Sequence, residues 1–396
     1  MKTSTLVATF ICLGFSTMAM AGPITDSCLV GAQPAASLFL PYFEVDLGDL
    51  EGSTTLLSVG NRSEEPTLAR VVVWTDWAIP VYAFDLLLPS HGLQTLNLRE
   101  VVGRGTVPTT GTGLPPVGQC TSPITNPTLG ELELAELHAQ LTGRAAGPDD
   151  LCWSSDRGET SVAVGFVTVD VLQDCSDTVR YPTDEGYFLV DETGLGGYDN
   201  VLYGDWFLVD PSQDLAQGGE LVHLVADPDF FTEESRRRSF YRSLAPQRYS
   251  DKRIPLSAQW QTRYLRGGGF GGETELILWI EPNGIPRPRA CGTDLKDCVF
   301  NDFWFTPQSE NGGLAAAVPY DLDRYAFTRR LRMLPPDPEV PEESGLLELN
   351  AGTFCCICSP PSAFGHIQAW AIPIFKAENR FSAGANGTRL NDLCFE

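Results

Sequence analysis

Apolar residues in this chain come in short alternating or β-branched runs, separated by Gly, Pro, Asp and Asn. Between residues 36 and 101 the runs are "ASLFLPYFEVDL" (36–47), "STTLLSVGN" (53–61), "TLARVVVWTDW" (67–77), "PVYAFDLLL" (80–88) and "LQTLNLREV" (93–101). Side chains alternate faces along a strand, so such segments, with turn residues at about 8–12 residue spacing, predict a sandwich or barrel. The pattern lapses into a Pro/Gly/Thr loop over 103–130. It resumes as strands in "TSVAVGFVTVDVL" (160–172), "GYFLV" (186–190), "NVLYGDWFLVD" (200–210) and "ELVHLVA" (220–226).

Two segments break the strand pattern. "ELELAELHAQL" (131–141) places Leu132, Leu134, Leu137 and Leu141 at helical spacing and stops at Gly143, predicting a short helix. In "DPDFFTEESRRRSFYRSL", Asp229 or Thr232 can cap a helix with Glu233 and Glu234 in its first turn and Arg236, Arg237, Arg238 and Arg242 behind them, the order a helix dipole favours. This helix is the predicted junction between two halves.

Strand signals then return in "LSAQWQTRYL" (256–265), "ETELILWIE" (273–281), "VFNDFWFT" (299–306), "GLLELNA" (345–351), "HIQAWAIPIFK" (366–376) and "RFSAGANGTRL" (380–390), with the acidic, Pro-rich 334–344 as an extended connector. "RGGGFGG" (266–272) reads as a hairpin turn, since a strand follows where a phosphate loop needs a helix N-terminus. The order of segments suggests a duplication: 52–57 with 272–277, 92–97 with 345–350, and 165–171 with 369–375.

The fold class expected is all-β, two β-sandwich-like domains with a few short helices, cross-linked by disulfides. The boundaries are 1–21 for a signal peptide, 22–228 and 251–396 for the domains, and 229–250 for the helical junction. "TTLLSVGN", "ARVVVWTDW", "LQTLNLRE", "GFVTVDV" and "YGDWFLVDPSQ", in that order, resemble a group of secreted bacterial proteins without an assigned function. The resemblance covers most of the chain beyond the leader. It implies export from a bacterium and carries over no functional residue.

Composition and charge narrow the partners. With 51 acidic against 27 basic residues the net charge is −24, which argues against nucleic acid or an anionic membrane surface. The first residues, Lys2, an apolar run from Leu6 to Phe15 and then Ala19-Met20-Ala21, form a secretory signal with cleavage expected after Ala21. The mature chain is then secreted or periplasmic, with no membrane insertion. Its expected partner is an envelope glycan or protein, and no cofactor is implied.

Without Cys12, which leaves with the leader, ten cysteines remain: Cys28, Cys120, Cys152, Cys175, Cys291, Cys298, Cys355, Cys356, Cys358 and Cys394. An even count behind a signal peptide predicts disulfides. Cys291–Cys298 closes a small loop for about 2.5 kcal/mol in chain-entropy terms. In "CCICSP" neighbouring cysteines make a strained bridge, so Cys355–Cys358 with Cys356–Cys394 is expected, and Cys28, Cys120, Cys152 and Cys175 pair among themselves; the alternative sends two or more bridges between the halves. Other readings of the triple are zinc, against the spacing to His366, and redox, against Pro360-Pro361 where a helix start is wanted.

The remaining candidates are weak patterns. His91, His138, His223 and His366 are isolated, and no catalytic motif spacing is present. Asp191, Glu192, Asp199 and Asn200 surround a Gly-rich loop and are a calcium candidate without alternate-position ligands. Asp76-Trp77 and Asp205-Trp206 pair a carboxylate with an indole, as a glycan cleft or carbohydrate-active hydrolase does, but alternation predicts core Trp and outward Asp. The expected function is therefore a non-catalytic structural, adhesive or binding protein, with a glycan-binding module or hydrolase as the alternative.

Overall fold

The computed structural model describes residues 33–117, 120, 122–155, 160–176, 179–188, 194–227, 239–244, 251–257, 259–265, 267, 271–281, 287–291, 303–308, 318–320, 328–333, 344–350, 368–377, 381–384 and 388–389. The leader, Cys28, Asp191, Glu192, Cys298, Cys355, Cys356, Cys358 and Cys394 lie outside the described residues, as do 229–238, 245–250 and most of the connector.

The first half holds β1 (Ser37–Asp46), β2 (Thr54–Asn61), β3 (Thr67–Thr75), β4 (Pro80–Leu88), β5 (Leu93–Asn97), β6 (Ala145–Ala146), β7 (Leu151–Cys152), β8 (Val162–Leu172), β9 (Leu202–Asp210), β10 (Leu215–Glu220) and β11 (Val222–Leu224). They form a five-stranded sheet, β11-β1-β8-β3-β4, and a four-stranded sheet, β10-β9-β2-β5. Strand β3 is buried along its whole length, because its sheet is covered on both faces, whereas β9 alternates buried and exposed residues. Helix α1 (Glu131–Thr142) forms as the sequence predicts and ends on Gly143 at φ 75°, a left-handed cap glycine adopts readily.

The second half holds β12 (Gln259–Leu265), β13 (Gly272–Ile280), β14 (Arg289–Ala290), β15 (Phe303–Gln308), β16 (Val318–Tyr320), β17 (Thr328–Met333), β18 (Ser344–Asn350), β19 (Ala369–Ala377), β20 (Phe381–Gly384) and β21 (Thr388–Arg389). Its sheets are β16-β15-β18-β12-β21 and β17-β13-β19-β20, again five strands and four. The protein is thus all-β with few helices. Gly267 and Gly272 exchange paired backbone hydrogen bonds, but the strands they join, β12 and β13, lie in different sheets rather than in the expected hairpin.

Six strands of each half share one antiparallel pairing scheme. β2 pairs β5 and β9 as β12 pairs β18 and β21, while β3 pairs β4 and β8 as β13 pairs β17 and β19. The matches of 92–97 with 345–350 and 165–171 with 369–375 fall on equivalent strands. The match of 52–57 with 272–277 is off by one element, because β13 corresponds to β3. In register, Trp74 lies opposite Phe166 as Trp279 lies opposite Trp370. Each Trp strand is followed by a buried acid that accepts a backbone N–H from the chain entering the paired strand: Asp76 from Ser155 at 3.0 Å, Glu281 from Gln368 at 3.0 Å.

The two halves share a contiguous apolar core. Trp279 of the second half packs on Phe39 at 5.0 Å, Phe240 at 5.7 Å and Phe166 at 6.1 Å. The described part of the expected junction helix, 239–244, is a turn whose Phe240, Tyr241 and Leu244 are buried in that core. Arg242 donates from Nε to Glu281 at 2.7 Å.

Two disulfides are described, Cys120–Cys175 and Cys152–Cys291. The second overturns the expected Cys291–Cys298 loop and the pairing of Cys152 within the first half. The reason is strand pairing: β14 adds to β7, with Arg289 opposite Cys152, and so delivers Cys291 to it.

Candidate functional site

Strand β9 carries the outward-facing chemistry. Its odd positions Tyr203, Asp205 and Phe207 point to solvent and Trp206 into the core. Glycines on the neighbouring strands let the two rings lie flat on the sheet. The Tyr203 ring covers Gly60, where an added Cβ would stand 2.3 Å from a ring carbon, and the Phe207 ring covers Gly218 at 2.4 Å. Tyr203 nevertheless remains 37% exposed and Phe207 51%, so each presents a ring to solvent. Between them Ser58 donates to Asp205 at 2.5 Å, and Glu220 stands opposite Asp205 across β10 and β9. Cross-strand partners bring their Cβ atoms to about 5 Å, placing two carboxylates between two aromatic rings.

The four residues of the Asp-Trp pairs do not meet. Trp206 is core, as alternation requires. Asp76-Trp77 sits on the connection from β3 to β4 in the other sheet. There Ala78 at φ 58° reverses the chain and the alternation fails: Asp76 is buried, and Trp77 is half-buried, donating to Ser155 Oγ at 3.1 Å. Adjacency in Asp205-Trp206 does not single out Tyr203 and Phe207, which flank the pair. The period-two pattern of "YGDWF" holds the signal.

At the end of the row lies a cleft of about 360 Å³, lined by Gln33, Pro34, Asn61, Arg62, His91, Tyr203, Gly204, Glu220 and His223. Strand ends from both sheets build it: Arg62 N donates to Val201 O, His91 N to Ser63 O, and Leu221 N to Gly204 O. His91 pairs with Glu64 at 3.2 Å. His223 bonds through Nδ1 to Gln33 O at 2.5 Å. Burial lowers the His223 pKa from 6.5, outweighing the upward pull of the Gln33 carbonyl and Glu220. The folded state therefore resists protonation that the unfolded chain accepts, and stability falls as pH drops below about 6.5. His223→Gln is expected to flatten the melting temperature between about pH 7 and 5; an unchanged slope places the sensitivity elsewhere.

A second cluster is sealed inside the protein. Asp170, fully buried, accepts from Ser37 Oγ, from Tyr187 at 2.8 Å and from Tyr241 at 2.9 Å, and faces Arg253 at 3.5 Å. Arg253 donates further to Ser37 Oγ, to Asp251 at 3.0 Å and to Gly197 O at 3.0 Å, among the rings of Phe188, Tyr198 and Tyr241. Burial works against the Arg253 charge, but Asp170 and Asp251 outweigh it and raise its pKa. With every side chain at its centre fully buried, this cluster is structural.

Of the calcium candidates, Asn200 is spent on Ala226, accepting from its N–H and donating to its carbonyl, both at 2.8 Å. Among the described residues no group of three or more His, Cys, Asp or Glu is placed to hold a metal ion.

No family model and no curated protein matches the chain. Among solved structures, an Amycolatopsis orientalis exo-chitosanase in complex with PNP-beta-D-glucosamine shares 10% identity over 83% of this chain and 25% of that one, with a TM-score of 0.11. This chain spans about a quarter of that enzyme's length, and a likeness at this level carries no argument about fold or function.

Proposed function

We propose that the protein is an exported, non-catalytic binding protein that holds a glycan against the outer face of its four-stranded sheet. The single observation that carries this reading is the row Tyr203, Asp205, Phe207, with both rings spread over glycines and open to solvent. Sugar rings present C–H faces that stack on aromatic rings and hydroxyls that donate to carboxylates, and β9 offers both in alternation. Tyr203 and Phe207 are four residues apart, about 13 Å along a strand, the reach of a short oligosaccharide. The leader-like N-terminus and the two disulfides support export from the cytoplasm. No helix among the described residues is long and apolar enough to cross a membrane.

The test is a glycan array followed by titration of each retained oligosaccharide. Phe207→Ala is expected to weaken binding about tenfold, a loss of about 1.4 kcal/mol, as for an interface anchor. The melting temperature stays near that of the parent, because the ring is half exposed. Unchanged affinity in both Phe207→Ala and Tyr203→Ala sinks the proposal. The Asp205–Glu220 pair favours one other reading, hydrolysis: release of reducing ends that vanishes in Asp205→Asn would replace binding with catalysis.

A further inference from the structure

We infer that the cleft at the head of the row is a terminal subsite for a carboxylated sugar, a pyranose of the uronic acid class. This rests on the proposed glycan-binding face and names the residue that ends its ligand. The two sites share Tyr203, whose ring crosses Gly60 at the end of the row and forms a wall of the cleft. They also share Glu220, which faces Asp205 on the sheet and lines the cleft. A sugar chain lying along β9 therefore runs into the cleft, where Gln33 and Pro34 stand among the lining residues.

The charges in the cleft select the ligand. The titratable groups that line it are Arg62, His91, Tyr203, Glu220 and His223. His91 is engaged with Glu64, and His223 is buried and resists protonation. The Asn61 side chain is committed to Glu65 O, Pro89 O and Ser63. Arg62 is exposed, and its guanidinium has no ion-pair partner among the described residues, in a protein of net charge −24. A guanidinium fork matches a carboxylate in two parallel hydrogen bonds. Glu220 accepts hydroxyl hydrogens on the same ligand, and Tyr203 covers a ring face. A volume of about 360 Å³ is at the small end for ligand clefts and suits one sugar residue rather than a long segment.

The experiment titrates the mature protein with sodium glucuronate and with methyl glucoside, reading chemical-shift changes. Glucuronate is expected to bind at least about tenfold more tightly, the effect of a charge-assisted pair. Arg62→Gln removes that preference, bringing the glucuronate affinity down to that of methyl glucoside. Equal affinity for the two sugars, or an Arg62→Gln protein that still prefers glucuronate, overturns the subsite. So does competition by sodium acetate at equal concentration, which would reduce the cleft to an unselective anion contact. If Arg62-dependent glucuronate binding persists while Phe207→Ala has no effect on any longer glycan, the sheet-face reading fails and the cleft stands alone.

Discussion

Arg253→Met is expected to destabilise the protein by about 3–5 kcal/mol, the cost of removing one partner from a buried ion pair. The guanidinium ties the 251–257 segment to β1 and β8 through Ser37 and Asp170, and to the 194–200 loop through Gly197 O. Methionine keeps much of the volume among Phe188, Tyr198 and Tyr241 but leaves Asp170 and Asp251 buried without their shared cation. Burial already pushes the Asp251 carboxyl up, and Arg253 is the leading influence opposing that shift. The destabilisation should therefore ease as pH falls and the stranded Asp251 carboxylate takes up a proton. Denaturant titration of Arg253→Met, Asp170→Asn and the double variant forms the decisive cycle. A coupling energy below about 0.5 kcal/mol would mean that the two side chains act independently. Arg253→Lys should not rescue, because an ammonium cannot reach Ser37, Asp251 and Gly197 O from one planar fork.

Much of the strand inventory was legible because period two is local information: "TLARVVVWT", "LYGDWFLVD" and "GETELILWI" are strands as read. The repeated pairing scheme was visible where equivalent strands keep similar side chains, as in "GLQTLN" and "GLLELN". The match went astray at β2, since β-strands share composition and only pairing distinguishes β12 from β13. What the sequence did not disclose depends on partners far along the chain. Asp170 reads as an outward polar residue in an apolar strand until Arg253, 83 positions later, is placed against it. The Asp-Trp pairs looked alike, yet one sits in a regular strand and the other on a reversal at Ala78, where inward and outward exchange. Parity anticipated that cysteines pair, but the partner of Cys291 was set by the addition of β14 to β7, a non-local pairing that spacing does not encode.

That pairing makes the Cys152–Cys291 bond a covalent tether between the halves, and its removal is the second large effect. The cysteines are 139 residues apart, and closing a loop of that length in the unfolded chain is worth about 5 kcal/mol in the chain-entropy account. For Cys120–Cys175, separated by 55 residues, the same account gives about 4 kcal/mol. Changing both Cys152 and Cys291 to Ser should therefore lower the unfolding free energy by up to about 5 kcal/mol. The double change avoids leaving one reactive thiol. The fold itself should survive, because the halves remain joined by Trp279 against Phe39 and Phe240 and by Arg242 on Glu281. What should change is cooperativity. With the tether intact the shared core is expected to unfold in one calorimetric transition. Without it the second half, held by the 251–257 segment and the aromatic contacts, should separate as an earlier transition, with the calorimetric enthalpy exceeding the van't Hoff value. A single transition with unchanged midpoint in the Ser variant would mean that the core and the Arg253 network alone hold the halves together. In that case Arg253→Met should produce the split that loss of the disulfide did not.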